Sequence, residues 1–326
     1  MSGPDRLDLP AKDSDFVQVD FATDGGVSDG VHLLGREEIL AVNAALAAGR
    51  PLLVRGEPGT GKSQLARAAA KQLGRAFIPH VIDSHTESRD LLWNFDAVKR
   101  LADAQIAGSL GGTRAVLETE LAVANYLHPG PLWWAFNWDH ARQQAERAMA
   151  SPPAQHDGGD WGNGCVVLLD EIDKGEADVP NGLLEALGAR RFMPMGSLDP
   201  VCIGSTVPLV VITTNEERAL PEAFLRRCMV LFLTLPDDEA ALTDLLVQRG
   251  RAHFPKASDA VLRRAATLLI GDRRAAIAAQ IRPFPGQAEY LDLLRAAIAL
   301  APGDKEAQLA MLDDIAQYAL KKQHGV

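Results

Sequence analysis

The sequence predicts an α/β protein: a parallel sheet between helices, followed by a small all-helical domain. Three observations carry that reading. Apolar runs without polar alternation, at residues 166–169 and 209–212, describe strands covered on both faces, as in a parallel sheet between helices. The run PLLVRGEPGTGKS at residues 51–63 reads as a buried strand, a glycine-rich turn and the start of a helix. From Pro236-Asp237-Asp238 onward the composition shifts and the apolar spacing turns helical, which marks a domain boundary.

Taken in order, the first thirty residues carry seven aspartates and few large apolar side chains, the composition of an acidic, flexible or loosely docked arm. Ile39, Leu40, Val42 and Leu46 have helical spacing, ending at Gly49. The strand at Leu52, Leu53 and Val54 follows, then a helix with Leu65, Ala66, Ala69 and Leu73 on one face. Residues 76–82 read as a second strand, GCVVLLDEID as a third, PLVVITTN as a fourth and CMVLFLTL, at 228–235, as a fifth. Helices are predicted over residues 239–249, 257–270, 288–301 and 305–322. The expected organisation is an arm (1–30), an α/β core (31–235) and a helical lid (236–326).

The segment between the second and third strands is longer than a bare crossover requires. It holds all five tryptophans, Trp93, Trp133, Trp134, Trp138 and Trp161, and predicts a Trp-rich insertion over about residues 120–164. Two accounts fit: the tryptophans pack the insertion onto the core, or they form a surface that contacts a substrate or partner, where Trp is enriched.

The bulk properties narrow the function classes. A chain of 326 residues with 47% hydrophobic content can bury a sizeable core. No apolar run approaches the roughly eighteen residues of a membrane span, and the acidic start does not resemble a signal peptide. Cys165, Cys202 and Cys228 lack C-x-x-C spacing and read as small buried residues of a cytoplasmic protein. A net charge of −10 without a basic block argues against a general nucleic-acid-binding surface.

Gly56, Gly61, Lys62 and Ser63 fit G-x-x-x-x-G-K-[ST], the phosphate-binding loop of nucleoside triphosphatases. Backbone N–H groups of such a loop curl around phosphates, and the helix beginning near Lys62 adds its positive dipole end. Lys62 supplies charge to the β- and γ-phosphates, and the Ser63 hydroxyl is placed to ligate Mg²⁺. The apolar strand ending in Asp170-Glu171 puts two acids at the carboxyl edge of the sheet: Asp170 for Mg²⁺, Glu171 as general base toward the attacking water. The strand ending in Thr213-Thr214-Asn215 offers a polar group to the γ-phosphate or the water, Asn215 first and Thr214 second; a loop cap is the plain alternative. In LPEAFLRR, Arg226 and Arg227 end a helix before a strand. They either form ordinary surface pairs or project into a neighbouring subunit's nucleotide site.

This order of motifs, with a helical lid behind it, resembles AAA+ ATPases, and specifically the MoxR-like branch. HPGPLWW is similar to that branch's PGP segment ahead of its helix-2 insert, and DKGEADVPNGLLEAL to the stretch after its Walker B motif. Residues 190–208 look like its hairpin before sensor 1. The resemblance covers residues 34–235 well and the lid loosely. It implies ATP and Mg²⁺ as cofactors, with Gly56, Glu57, Pro58, Gly59, Thr60, Gly61, Lys62, Ser63, Gln64 and Asp170 at the nucleotide. It makes Asn215 sensor 1 and Arg227 the trans-acting arginine. Arg226, standing where the family has an acid, is the second candidate. The lid's sensor 2 motif is not cleanly present, and Arg282 in IRPFPGQAEYLDLLRA is its candidate. The resemblance further implies a ring, a hexamer, that remodels or activates a partner, often a von Willebrand factor A domain protein. Alternatives are a nucleotide-dependent switch or scaffold in a multi-component, defence-like system, a nucleic-acid motor, and, weakest, a small-molecule kinase.

Overall fold

A computed structural model describes residues 5–12, 16–22, 30–109 and 114–320. In chain order the elements are β1 (Val17–Asp20), β2 (Val31–Leu34), α1 (Arg36–Ala48), β3 (Leu52–Gly56), α2 (Lys62–Leu73), β4 (Arg75–Val81), β5 (Trp93–Phe95), α3 (Ala97–Ser109) and α4 (Arg114–Glu120). Then come β6 (Leu127–Pro129), α5 (Pro131–Phe136), α6 (Trp138–Arg147), β7 (Asp160–Asp170), α7 (Val179–Ala189), β8 (Arg191–Phe192), β9 (Val201–Cys202), β10 (Leu209–Thr214), α8 (Glu222–Leu225) and β11 (Met229–Leu233). Four helices close the described chain: α9 (Glu239–His253), α10 (Asp259–Ala278), α11 (Gln287–Leu300) and α12 (Lys305–Ala319).

The central sheet is parallel and five-stranded, in the order β11-β3-β10-β7-β4. After β3 the chain runs to the far edge at β4, then returns through β7 and β10. The strand order therefore reverses beside β3, the place where open α/β sheets bind ligands outside their carboxyl ends. The register pairs Val166 with Leu209 and Leu169 with Ile212, and all six residues of β10 are buried. Strands covered on both faces leave no room for polar alternation, which is why these runs are continuously apolar.

Two compact units divide the chain. The first comprises Met1–Asp8, Leu40–Leu53 and Ala69–Val230. Its core packs sheet residues such as Ile78, Val167 and Ile212 with Leu183 of α7 and with Trp133, Trp134 and Phe136 of α5. Gly130 and Pro131 start α5, where the fixed φ of proline suits a first turn and its missing N–H is no loss. Trp133 is 1% exposed, and its indole N–H donates to His140 Nδ1 at 3.1 Å. Phe192 of the β8–β9 hairpin seats between Trp93 and Trp133, with ring centroids 5.7 and 5.6 Å away. Four of the five tryptophans thus pack into or against the core. Only Trp161 is well exposed, and it stacks on Trp138.

Helices α5 and α6, after Pro129-Gly130-Pro131, belong to the core, whereas α3 precedes that segment and has no buried residue. Val98, Leu101 and Ile106 of α3 are exposed. Of the two accounts of the tryptophans, packing onto the core is the one observed for Trp133, Trp134 and Trp138.

The second unit comprises Leu9–Ile39, Val54–Ala68 and Leu231–Val326. Leu246, Leu262, Leu269, Leu293, Leu294 and Leu312 from the four C-terminal helices are fully buried around Tyr290. Asp238, Ser258 and Asp304 cap α9, α10 and α12 by accepting backbone N–H bonds. α10 runs eight residues beyond its predicted end at residue 270. Gly271 lies in the middle of this packed helix, where it only forfeits some propensity. The last two residues of the predicted 305–322 helix lie outside the described residues.

The acidic arm needs correction where it is described. Residues 1–4, 13–15 and 23–29 lie outside the described residues. The rest is docked: Leu7 exchanges two hydrogen bonds with the Asn43 side chain, at 2.8 and 2.9 Å. β1 pairs antiparallel with β2, Val19 and Phe21 are buried, and the Arg67 guanidinium lies 4.4 Å over the Phe21 ring. VQVDF alternates as a strand should, a signal outweighed in the sequence by the surrounding aspartates. Among the cysteines, Cys165 and Cys228 are buried and burial pushes both thiols up to about 12, but Cys202 is exposed on the short hairpin.

Candidate nucleotide site

In the second unit, the end of β3 and the start of α2 flank the loop GEPGTGKS. The loop needs its glycines. Gly56 has φ +153°, and a Cβ there would lie 2.3 Å from the Leu233 carbonyl oxygen. Gly59 has φ +76°, and its Cβ would meet Ala288 at 2.8 Å. Side chains at either position would meet both backbone strain and a clash. Lys62 is 7% exposed and turns its ammonium back over the loop, donating to the carbonyls of Gly56 and Glu57 at 2.9 and 2.8 Å. Thr60 Oγ1 donates to the Glu57 carbonyl at 3.0 Å. Lys62 and Thr60 thus close the loop back onto its own backbone.

The C-terminal helices of the same unit reach this loop. Arg273 of α10 donates Nη2 to the Glu57 carboxylate at 2.7 Å and Nη1 to the Pro285 carbonyl at 3.0 Å. Arg249 of α9 contacts the Thr60 carbonyl at 3.5 Å. Arg282, the lid arginine singled out from the sequence, lies with its guanidinium 5.4 Å over the Phe284 ring. Arg249 and Arg273 thus both bond to residues of the glycine loop, and Arg273 was not singled out in the sequence. It was hidden because the predicted helix ended three residues before it.

In the first unit, β7 ends at Asp170 and the chain turns sharply at Glu171, whose φ of 61° and ψ of 48° are left-handed. A non-glycine residue in that region costs about 1–3 kcal/mol and persists where surrounding bonds enforce it. Here they do. The Glu171 N–H donates to Thr213 Oγ1 at 2.9 Å, and the Thr213 hydroxyl donates to Asp170 Oδ1 at 2.5 Å. Asn215 Nδ2 donates to Glu171 Oε1 at 3.2 Å, and Lys174 Nζ meets Glu171 Oε2 at 2.7 Å. That hydrogen bond raises the Lys174 ammonium above its ordinary value.

Of the two polar residues proposed at the end of β10, Asn215 faces the acid. Thr214 instead accepts the Glu216 N–H and shapes the turn. Thr213 was missed in the sequence. Strand alternation is uninformative when both faces are buried, so nothing marked its hydroxyl as the link between β10 and the acidic turn. Thr213→Val removes both of its bonds and leaves polar groups buried, which costs about 1–3 kcal/mol. Calorimetry is expected to show melting lowered by several degrees, with Thr213→Ser closer to the wild type. A Thr213→Val chain as stable as the wild type would show that the hydroxyl carries no net stabilisation.

Arg226 and Arg227 directly follow α8, and both side chains are exposed. Arg226 pairs loosely with Glu222 at 3.5 Å, both more than four-fifths exposed, a geometry worth little in stability. Among the described residues no group of three or more His, Cys, Asp or Glu side chains could hold a metal ion. A magnesium ion bound with a nucleotide takes most of its ligands from phosphate and water, so a cluster of three protein ligands is not required for it. No helix among the described residues is long and apolar enough to cross a membrane.

A strand, a glycine loop closed by its own lysine and a helix define the class of P-loop nucleotide-binding proteins. Within that class, residues 51–228, more than half of the chain, match the family described as AAA domain (dynein-related subfamily), and the chain belongs to that family. AAA domains are in general ATPases. Comparison with curated proteins gives no significant match. Among solved structures, the chain is similar to a protein of Cytophaga hutchinsonii ATCC 33406 assigned as an ATPase, at 16% identity and a TM-score of 0.37, covering 87% of this chain and 79% of the other. It is also similar to a proline-to-glycine point mutant of Thermotoga maritima RuvB, at 14% identity and a TM-score of 0.45, covering 86% of this chain and 68% of the other. The AAA fold expected from the motifs, a parallel sheet between helices followed by a helical region, is the fold observed.

Proposed function

We propose that the protein is a Mg²⁺-dependent ATPase of the MoxR-like AAA+ type that forms a ring and couples hydrolysis to remodelling or activating a partner protein. The supporting observation is the arrangement at Glu171: a carboxylate held by Asn215 on one oxygen and Lys174 on the other, on a turn pinned by Thr213. A structural acid at a strand end needs no such fixed aim. A general base does, because proton transfer depends on placing the oxygen within hydrogen-bond reach of the water.

In this reading Gly56 to Gln64 cradle the phosphates, with Lys62 leaving its two loop carbonyls for the β- and γ-oxygens. Ser63 and Asp170 hold the magnesium ion, which when bound neutralises charge on the β- and γ-phosphates. Glu171 orients and deprotonates water, and Asn215 sets its direction. Arg227, exposed just after α8, serves a neighbouring subunit's site, with Arg226 second, and Arg273 joins Arg282 as the lid residue to consider. A ring, a hexamer by family habit, follows from an arginine acting in trans. Hydrolysis then changes the angle between subunits and so acts on a client, of which a von Willebrand factor A domain protein is the first to try. The core and lid divide near Leu235, and the free thiols suit a reducing cytoplasm.

The test is phosphate release from ATP and magnesium by the purified chain, with oligomer size measured with and without ATP. Hydrolysis that disappears in Lys62→Ala supports the reading. A wild-type chain that binds ATP and assembles without turnover would replace it with a nucleotide-dependent scaffold.

A further inference from the structure

Glu57 is the second residue of a loop that binds anions, and it is itself an anion. Its carboxylate holds Arg273 at 2.7 Å, while its backbone carbonyl holds the Lys62 ammonium at 2.8 Å. One residue thus engages two cations beside the phosphate cradle. Arg273 is 13% exposed, and its guanidinium is also fixed by the Pro285 carbonyl and lies 5.7 Å from the centre of the Phe284 ring. Glu57 is the more accessible partner, at 37%. The arginine's place is therefore set by α10 and the segment between α10 and α11, and the carboxylate is the exchangeable half of the pair.

We propose that Glu57 is an affinity-setting competitor for nucleotide: it occupies Arg273 until a triphosphate displaces it. This rests on the reading of GEPGTGKS as a nucleotide site. A phosphate oxygen offers the guanidinium the same charge-assisted, paired geometry as a carboxylate, with more negative charge. Nucleotide entering the loop places like charge beside Glu57 and an alternative acceptor beside Arg273. Both effects drive the same exchange. Arg273 passes from Glu57 to phosphate, and the contact between α10 and the loop becomes dependent on the ligand. Glu57 thereby lowers the affinity that Arg273 would otherwise confer.

Opposite signs distinguish this from an ordinary structural ion pair. Equilibrium titration of the full chain with a fluorescent ATP analogue and magnesium is the measurement. Arg273→Gln is expected to weaken binding about tenfold, or about 1.4 kcal/mol. Glu57→Gln is expected to tighten it about threefold or more, and to have no effect when Arg273 is already Gln. Weaker or unchanged binding in Glu57→Gln overturns the proposal, as does tightening that persists undiminished in the double variant, which would be charge repulsion alone. If the wild-type chain and Lys62→Ala bind equally or not at all, the nucleotide reading falls and the proposal with it. If only the wild type binds while the two single variants shift together, the competitor role alone is wrong.

Discussion

Glu171→Gln is expected to reduce ATP turnover by about 10²- to 10⁴-fold, the usual contribution of a positioned general base, while binding nucleotide as well as the wild type. The substitution keeps the side chain's shape and one carbonyl oxygen for Asn215, so the turn stays in place. It removes the basicity and the ion pair with Lys174, a pair whose members are 43% and 30% exposed and which therefore adds little to stability. Phosphate release and equilibrium nucleotide binding, measured on the same preparation, separate the two properties. Because the variant halts after binding, it is also the form with which to capture a client in the presence of ATP. Undiminished hydrolysis would remove Glu171 from the role of base.

Arg227→Ala is expected to act at another subunit's site and to lower turnover by about 10³- to 10⁵-fold, the range for an arginine that stabilises transition-state charge on the γ-phosphate. Its position supports this. It is exposed just after α8, while its backbone N–H is tied to the Phe224 carbonyl at 3.0 Å and Phe224 itself is fully buried. An exposed side chain on a fixed base is what reaching into a neighbour requires. Arg226 has the same exposure but pairs with Glu222. Arg226→Ala is thus expected to be the milder variant. Arg227→Ala chains that hydrolyse ATP at the wild-type rate would assign the arginine to the surface.

The features legible in the sequence were those set by local chemistry. The glycine loop, the apolar strands and the two acids depend on residue type at short spacing, and each lies where its strand or turn was predicted. What escaped depends on packing. Thr213 was invisible because a strand buried on both faces gives no periodic hint of which polar group is used. Arg273 was lost because the predicted helix ended at residue 270, while the packed helix α10 continues through Gly271. Of the two accounts of the tryptophans, packing onto the core is the one observed for Trp133, Trp134 and Trp138, and that choice depends on tertiary contacts. Asp-rich composition outweighed the short alternation of VQVDF, though Val19 and Phe21 were enough to dock the strand.

The central claim is a hydrolytic site completed by a second copy of the chain. Mixing Lys62→Ala with Arg227→Ala, each inactive alone, measures it directly. One chain lacks the phosphate lysine but keeps its arginine; the other keeps the nucleotide loop but cannot assist its neighbour. Phosphate release that rises well above the sum of the separate preparations is the result predicted. A mixture no more active than its parts, with both variants still assembling, would contradict the account.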